Sequence, residues 1–398
     1  MRISRSTVYA LGVSAAVAIL AGCSSGGSQS ALAPPGTVQQ SAQHLSARSA
    51  HGLVMNGALL PRLQDAMKVR GRKHAHGDSF IKHMTKTGQL AYVSDPGQIF
   101  AGYPGYVYIY AWNIPGFTRG TFMGQLAGPL VEPTGVCVDK NQNVYVADFA
   151  TSLIWKYAWN DVIPIGVLPD PGNNPLSCSV DKTTGNVAVT NLSTTNNGSG
   201  SVYVYPGGSA DWVPYYNIGA PSNVLNQMWF AGYDTNGNLF ADGCTAQPPS
   251  GCTPGAGIEV VELPESAEKF VTLHLHGRGL AQIQIPGQIQ WDGKGHLDVG
   301  GGQALVYWAT EIPGGLKQFG ATNFAASVET RQWFVFGNNF VVPNLLGNGF
   351  GPGSCATPTA PSVTCTQIYP NRLGSVSPRL EIDQPDYQLE PFGAVVSR

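Results

Sequence analysis

From residue 90 onward, apolar and polar positions recur in one unit: an apolar strand, an acidic residue, a short polar turn and a second apolar strand. The unit is carried by "GVCVDKNQNVYVAD" (135–148), "CSVDKTTGNVAVTN" (178–191), "AGYDTNGNLFADG" (231–243), "IQWDGKGHLDVGG" (289–301) and "ASVETRQWFVFGN" (326–338). Aligned on Asp139, Asp181, Asp234, Asp292 and Glu329, the second strands open at Val144, Val187, Leu239, Leu297 and Phe334. Between them stand Asn, Gly, Lys and Thr, residues that favour tight hairpins. A third strand follows each pair, in "VYIYAWN" (107–113), "IWKYAWN" (154–160), "VYVYPGG" (202–208), "IEVVELPE" (258–265), "ALVYWATE" (304–311) and the weaker "TQIYPNR" (366–372). Tyr108, Tyr110 and Trp112 align with Trp155, Tyr157 and Trp159; alternation places each trio on one strand face, which predicts packing against a neighbouring unit. Divergent segments such as "DVIPIGVLP" and "ADWVPYYNI" supply a fourth strand.

Four strands per unit, recurring at intervals of roughly 40–70 residues, predict an all-β chain folded as a β-propeller with insertions. The first unit lacks its first strand, since "QLAYVSDPG" (89–97) begins directly with a second one. The missing strand is at the other end of the chain: "EPTGVCVD" (132–139) and "EPFGAVVS" (390–397) share Glu, Pro, Gly and the penultimate Val. This predicts six blades over 89–398, closed by a C-terminal strand that completes the first blade and removes an open inner edge.

Composition narrows the class. Gly (50 residues) and Pro (29 residues) are abundant and charged residues make up only 12%, as expected of short strands and turns. A net charge of −2 offers no basic field to nucleic acid, so no nucleic-acid partner is expected. The N-terminus carries Arg2 and Arg5, an apolar run from Val8 to Leu20 and then Ala21-Gly22-Cys23. The run is short for a membrane span and reads as an export signal. "Leu-Ala-Gly-Cys" resembles the bacterial lipobox, which implies a signal peptide over 1–22 and lipidation of Cys23. The same resemblance implies tethering to the membrane in the cell envelope, periplasmic or surface-exposed, and a monomer is expected. Ser24 after the cysteine implies the outer membrane if the source is Gram-negative. Residues 23–50 read as a flexible tether. Residues 51–88 form a basic pre-domain segment with Lys68, Arg70, Arg72, Lys73, Lys82 and Lys86, which reads as a solvated run.

"PTGVCVDKNQNVYVADFATSLIWKY" (133–157) resembles an NHL repeat, and the architecture is similar to NHL-like, streptogramin-lyase-like and SMP-30-like six-bladed propellers. These differ in activity, so the resemblance implies fold more than function. Loops between second and third strands carry the insertions and share one face of the ring with the first-strand starts. That face gathers Asp95, Glu132, Asp148, Asn191, Asp242, Asn338 and Glu390 as candidate binding residues. Several converging would suit a hard cation such as Ca²⁺; otherwise each caps its own turn and no cofactor is implied. SMP-30-like lactonases hold a metal with such residues, but their early Glu-Gly-Pro segment is absent, so no ligand transfers. The expected function is a binding module for a protein, glycan or small molecule; the alternative is a metal-dependent lactonase, hydrolase or streptogramin-lyase-like enzyme. Such a lyase would need a histidine on the loop face, whereas His296 falls in a hairpin turn on the opposite face and "HLHG" (274–277) on the outermost strand of blade 4.

Six cysteines beyond Cys23 in an exported chain suggest disulfides. Cys244 and Cys252 bracket one long loop and Cys355 and Cys365 another. Cys137 and Cys178 remain to pair by elimination, one position out of register between blades 2 and 3.

Overall fold

The computed structural model describes residues 88–97, 105–194, 198–216, 218–220, 223–246, 252, 257–283, 285–301, 304–324, 330–343, 366–377, 379–382 and 391–397. The chain joins the ring at β1 (Gln89–Asp95), β2 (Tyr106–Asn113) and β3 (Phe122–Gln125). Blade 2 is β4 (Pro133–Val138), β5 (Val144–Asp148), β6 (Leu153–Tyr157) and β7 (Pro164–Pro169). Blade 3 is β8 (Asn173–Val180), β9 (Val187–Thr194), β10 (Ser201–Tyr205) and β11 (Val213–Tyr216), followed by a small ribbon of β12 (Gly219–Ala220) and β13 (Asn223–Val224). Blade 4 is β14 (Gln227–Tyr233), β15 (Leu239–Cys244), β16 (Ile258–Leu263) and β17 (Val271–Thr272). After β18 (His274–His276), blade 5 is β19 (Ile289–Trp291), β20 (Leu297–Gly300), β21 (Leu305–Ile312) and β22 (Gly315–Phe324). Blade 6 is β23 (Phe334–Phe336), β24 (Asn339–Pro343), β25 (Thr366–Pro370) and β27 (Leu380–Ile382), with β26 (Gly374–Val376) leaving it to pair with β22. The last strand, β28 (Gly393–Val396), returns to blade 1 and gives the order β28-β1-β2-β3.

The recurring acid has a local cause. Asp139 Oδ1 accepts the N–H groups of Asn141 (2.9 Å) and Asn143 (2.8 Å), and Asp234 Oδ1 those of Asn236 and Asn238 (both 2.8 Å). Asp292 Oδ1 does the same for Lys294 (2.6 Å) and His296 (3.0 Å), while Asp181 caps Thr183 and Thr184. A carboxylate at the strand end thus satisfies turn donors that lie outside the ladder. In these four hairpins the acid's own N–H also closes the turn, as in Asp139 N to Asn143 O at 3.0 Å. Blade 1 has the same closing bond without the connecting turn, Ser397 N to Leu90 O at 2.8 Å. There Ser397 Oγ takes the acid's place, accepting from Leu90 N (3.0 Å) and Trp159 Nε1 (2.9 Å).

The ring closes as the two ends of the sequence predict. β28 pairs antiparallel with β1, with Tyr92 opposite Val395 and Val93 opposite Ala394. A second latch crosses it: the Gln332 amide accepts Val136 N–H at 2.8 Å and donates to Val136 O at 2.9 Å, linking blade 6 to blade 2 past β28. Gly393 makes room for this, because a methyl group there would overlap Gln332 Oε1 and crowd Ser94 Oγ and Thr134 O. Cores fill the gaps between blades. Tyr108, Tyr110 and Trp112 pack toward blade 6, while Trp155, Tyr157 and Trp159 pack toward blade 1, all buried as the shared strand face predicts.

Two assignments differ from the sequence reading. Phe334 opens the first strand of blade 6, not the second, and the hairpin turns at Gly337–Asn338. The rule that the acid precedes the turn misleads there, because Gly337, with φ 59°, makes the turn; Glu329 lies outside the described residues. His274–His276 is also not the outermost strand of blade 4. It runs parallel to β22 in blade 5, where it covers an edge, and Val271–Thr272 holds the predicted place. Among the described residues two disulfides are present, Cys137–Cys178 across blades 2 and 3 and Cys244–Cys252 within blade 4. Cys355, Cys365 and the first 87 residues lie outside the described residues.

Removing residues 390–398 is expected to abolish the cooperative thermal transition, whereas removing residues 24–50 leaves it in place. Gly393→Ala is expected to cost about 1–3 kcal/mol through overpacking against the Gln332 latch, measurable by urea denaturation.

Candidate functional site

The acids of the loop face are engaged by backbone. Asp148, at the end of β5, accepts Val131 N–H at 2.9 Å and Glu132 N–H at 3.0 Å, one on each oxygen. Asp242 Oδ1 accepts Phe230 N–H at 2.8 Å, and Asp95 Oδ1 accepts Gly97 N–H at 3.0 Å. Asn191 donates to Ser201 Oγ at 3.0 Å and to Asp170 Oδ1 at 3.4 Å. Asn338 is exposed in the β23–β24 turn, on the opposite face of the ring from these residues, and Glu390 lies outside the described residues. Glu132 stands beside Asp148, and Asn191 joins an Asp170–Asn173 pair held at 2.6 Å. Among the described residues no three His, Cys, Asp or Glu side chains gather at a common point.

Burial sets the protonation of these groups. Loss of hydration, reinforced by the Asp148 charge, pushes the Glu132 carboxyl up to about 8. Burial likewise raises Asp170 to about 7, against the stabilising bonds from Asn173, Asn191 and Tyr205. Asp242 is held well above the ordinary carboxylate range by burial, opposed by the N–H groups of Phe230 and Gly287 and its own.

Toward the loop face the central channel is filled. Phe230 and Phe392, from blades on opposite sides of the ring, meet with ring centroids 6.2 Å apart. Leu176 and Trp229 pack into the same cluster, and the buried Arg331 guanidinium lies 5.1 Å from the Trp229 ring centre. Toward the hairpin face the channel widens into a cavity of about 260 Å³ lined by the innermost strands of all six blades. Its inner end is formed by Gln288 and Gln332, its wall includes Ser179 and Gln290, and Tyr233, Trp291 and Phe334 stand half-buried around it. Lys140 and Lys182 are exposed at its mouth. Three glutamines in the innermost strands recur for one reason: each amide satisfies backbone at a neighbouring strand. Gln290 brackets Val335 N and O at 2.9 and 3.3 Å, Gln332 brackets Val136, and Gln288 Nε2 reaches Ala231 O at 3.3 Å. Gln288 Oε1, on a side chain only 6% exposed, accepts no hydrogen bond.

This cavity was not among the sequence expectations, which looked to acids and long loops. The available signal is polar glutamine inside apolar strands, in "GQIQW" (287–291) and "RQW" (331–333).

The fold and channel define a six-bladed β-propeller. Residues 130–157 match the NHL repeat family, the same blade 2 segment that carries the sequence resemblance. No curated protein matches the chain. Among solved structures, a chain of the nidogen/laminin complex is similar with a TM-score of 0.55 at 10% identity, over 78% of this chain and 99% of that one. A streptogramin B lyase structure covers 64% of this chain and 70% of its own at a TM-score of 0.40 and 11% identity.

The titration of Glu132 and Asp170 has a definite sign. Their unfolded values are near 4.5 and 3.8 and their folded values about 8 and 7, so between these limits the folded chain holds more protons than the unfolded one. Stability is therefore fully favoured below the window and declines as pH rises through it. Scanning calorimetry from pH 5 to pH 8.5 should show Tm falling, with a shallower fall in Glu132→Gln and Asp170→Asn.

Proposed function

We infer that the chain is a lipid-anchored cell-envelope protein whose propeller binds a ligand rather than transforming it, acting as a monomer held to the membrane through Cys23. The observation that carries this reading is the use made of the carboxylates. Asp148 and Asp242 hold backbone N–H groups of their own blades, which favours the capping role over a shared cation. The carboxylate lining the cavity, Asp139, is likewise held by its turn, through Asn141 N, Asn143 N and Asn143 Nδ2. What faces the cavity is a set of amides, hydroxyls and aromatic rings, groups that hold a ligand by hydrogen bonding and stacking. The nidogen/laminin complex supports the reading by analogy of fold, as a case of a similar propeller crystallised with a protein partner. A protein, glycan or small molecule remains the expected ligand class, and the net charge of −2 argues against nucleic acid.

Two measurements test the two halves of this reading. Cys23→Ser should move the protein from the membrane fraction to the soluble fraction without changing its Tm. Metal analysis before and after chelation should find no stoichiometric divalent cation and no change in Tm. A tightly held cation whose removal abolishes hydrolysis of lactone substrates would replace this reading with the enzymatic one.

A further inference from the structure

We propose that the basic run of this chain's own N-terminal segment, Lys68 to Lys73, docks on an acidic belt at the hairpin-face end of blades 4 and 5, formed by Glu262, Glu265 and Glu311. The contact goes beyond the ligand-binding reading and is independent of any occupant of the cavity. Charge is divided unevenly along the chain. Residues 51–88 hold seven Lys and Arg against two Asp and no Glu, whereas residues 89–398 hold 12 Lys and Arg against 22 Asp and Glu. The small net charge of −2 thus combines an acidic propeller with a basic leading segment.

Strand alternation builds the belt. Glu262 follows Val260 by two positions on β16, and Glu311 follows Ala309 by two on β21, so both share a strand face with the core between blades 4 and 5. They meet at the hairpin-face end of that core, where the β14–β15 turn adds the charge of Asp234. Glu265 stands beside the same turn: its N–H donates to Asn238 Oδ1 at 2.9 Å and its side chain lies against Gly237. Glu262 is only 8% exposed, and among the described residues its carboxyl has no hydrogen bond and no ion pair. Burial, then the charges of Glu311 and Asp234, raise that carboxyl above its ordinary value. Glu265 and Glu311 are exposed and also lack an ion pair among the described residues. Lys317 is registered opposite Thr310 and so stands on the other strand face from Glu311, while Lys269 pairs with none of these acids. A buried carboxyl facing two other acids is short of a cation, and a guanidinium or ammonium group supplies one.

Chain connectivity selects which cations can arrive. Gly88 packs against Asn113 and Ile114, so the chain enters blade 1 on the hairpin face, the face that carries the belt. Blade 4 stands across the ring from blade 1. Lys73 precedes Gly88 by 15 residues and Lys68 by 20, so an extended chain carries the run up to roughly 50 to 70 Å. A domain of about 300 residues is roughly 50 Å wide, and the run therefore reaches the belt. Lys82 and Lys86, six and two residues from Gly88, are held within roughly 20 Å of blade 1 and do not reach it. Arg70 and Arg72 lie in the part of the segment that does, and their planar forks suit paired carboxylates.

The test treats the full-length protein with a zero-length carbodiimide, which joins carboxylates to adjacent amines, and maps the links by mass spectrometry. Mixing isotope-labelled and unlabelled chains separates links within a chain from links between chains. The expected result is intrachain links from Lys68 or Lys73 to Glu265 or Glu311 that disappear at high salt. Trypsin cleavage after Lys73 should quicken about fivefold in Glu262→Gln/Glu265→Gln/Glu311→Gln, once calorimetry shows that its Tm is not lowered. Arg70→Gln/Arg72→Gln, which leaves the propeller untouched, should weaken the links and quicken the same cleavage to a similar degree. Absence of links from Lys68 and Lys73 to these acids overturns the proposal, as do links only between chains. Links to the same acids from Lys82 or Lys86 overturn the assignment to the 68–73 run. A cleavage rate indifferent to both variants overturns the docking. Protection of Lys73 that appears only on vesicles of anionic lipid gives the run to a membrane surface and overturns it as well.

Discussion

The architecture depends on joining two ends of the chain that lie some three hundred residues apart. β28 adds to β1 as the innermost strand of the first blade, and its outer neighbours are the first strands of blades 2 and 6. A ring of sheets without that strand exposes an unpaired inner edge and two half-covered cores. The bond from Ser397 to Leu90 reproduces the hairpin closure of the other blades with no covalent turn behind it, so geometry normally set by local sequence is set here by packing. The Gln332 amide then bolts blade 6 to blade 2 across the seam, and Gly393 keeps the space it needs. Closure and the blind channel are thus one construction: the glutamine that secures the seam also ends the cavity.

The same economy governs the polar residues. Aspartates at strand ends serve the turns, and their repetition follows from the repeated need to satisfy hairpin N–H groups near the axis. On the loop face Asp148 holds the N–H groups of the segment entering its blade and Asp242 that of Phe230, and burial there raises Glu132, Asp170 and Asp242 above ordinary carboxylate values. Such groups make the scaffold sensitive to rising pH, a property of its construction. The half-buried rings of Tyr233, Trp291 and Phe334 are left lining the cavity at the innermost strands.

Most of the fold is legible in the sequence because a propeller repeats. Blades 2 to 5 share an acid, a turn and an alternating second strand, and the kinship of "EPTGVCVD" with "EPFGAVVS" identifies the closing strand. Blade 6 shows where repetition fails: its turn is built on Gly337 and Asn338 rather than on an acid, which shifts its first two strands along the chain. β18 escapes for a related reason. Parallel pairing to β22 joins segments distant in sequence, and "HLH" looks the same whichever blade it covers. Of the candidate binding residues, the sequence indicates which stand at strand ends but not which way their oxygens turn.

By itself, then, the sequence determined the all-β class, the blade count and the closing strand, because each is written in local pattern or in recurrence. Tertiary structure alone decided where space remains. The Phe230–Phe392 contact that fills one half of the channel joins blades on opposite sides of the ring, and the Arg331–Trp229 pair joins blades 6 and 4 across blade 5. The cavity that remains takes between two and six residues from every blade. No linear pattern encodes a volume bounded by six separate strands; it exists only once the ring has closed.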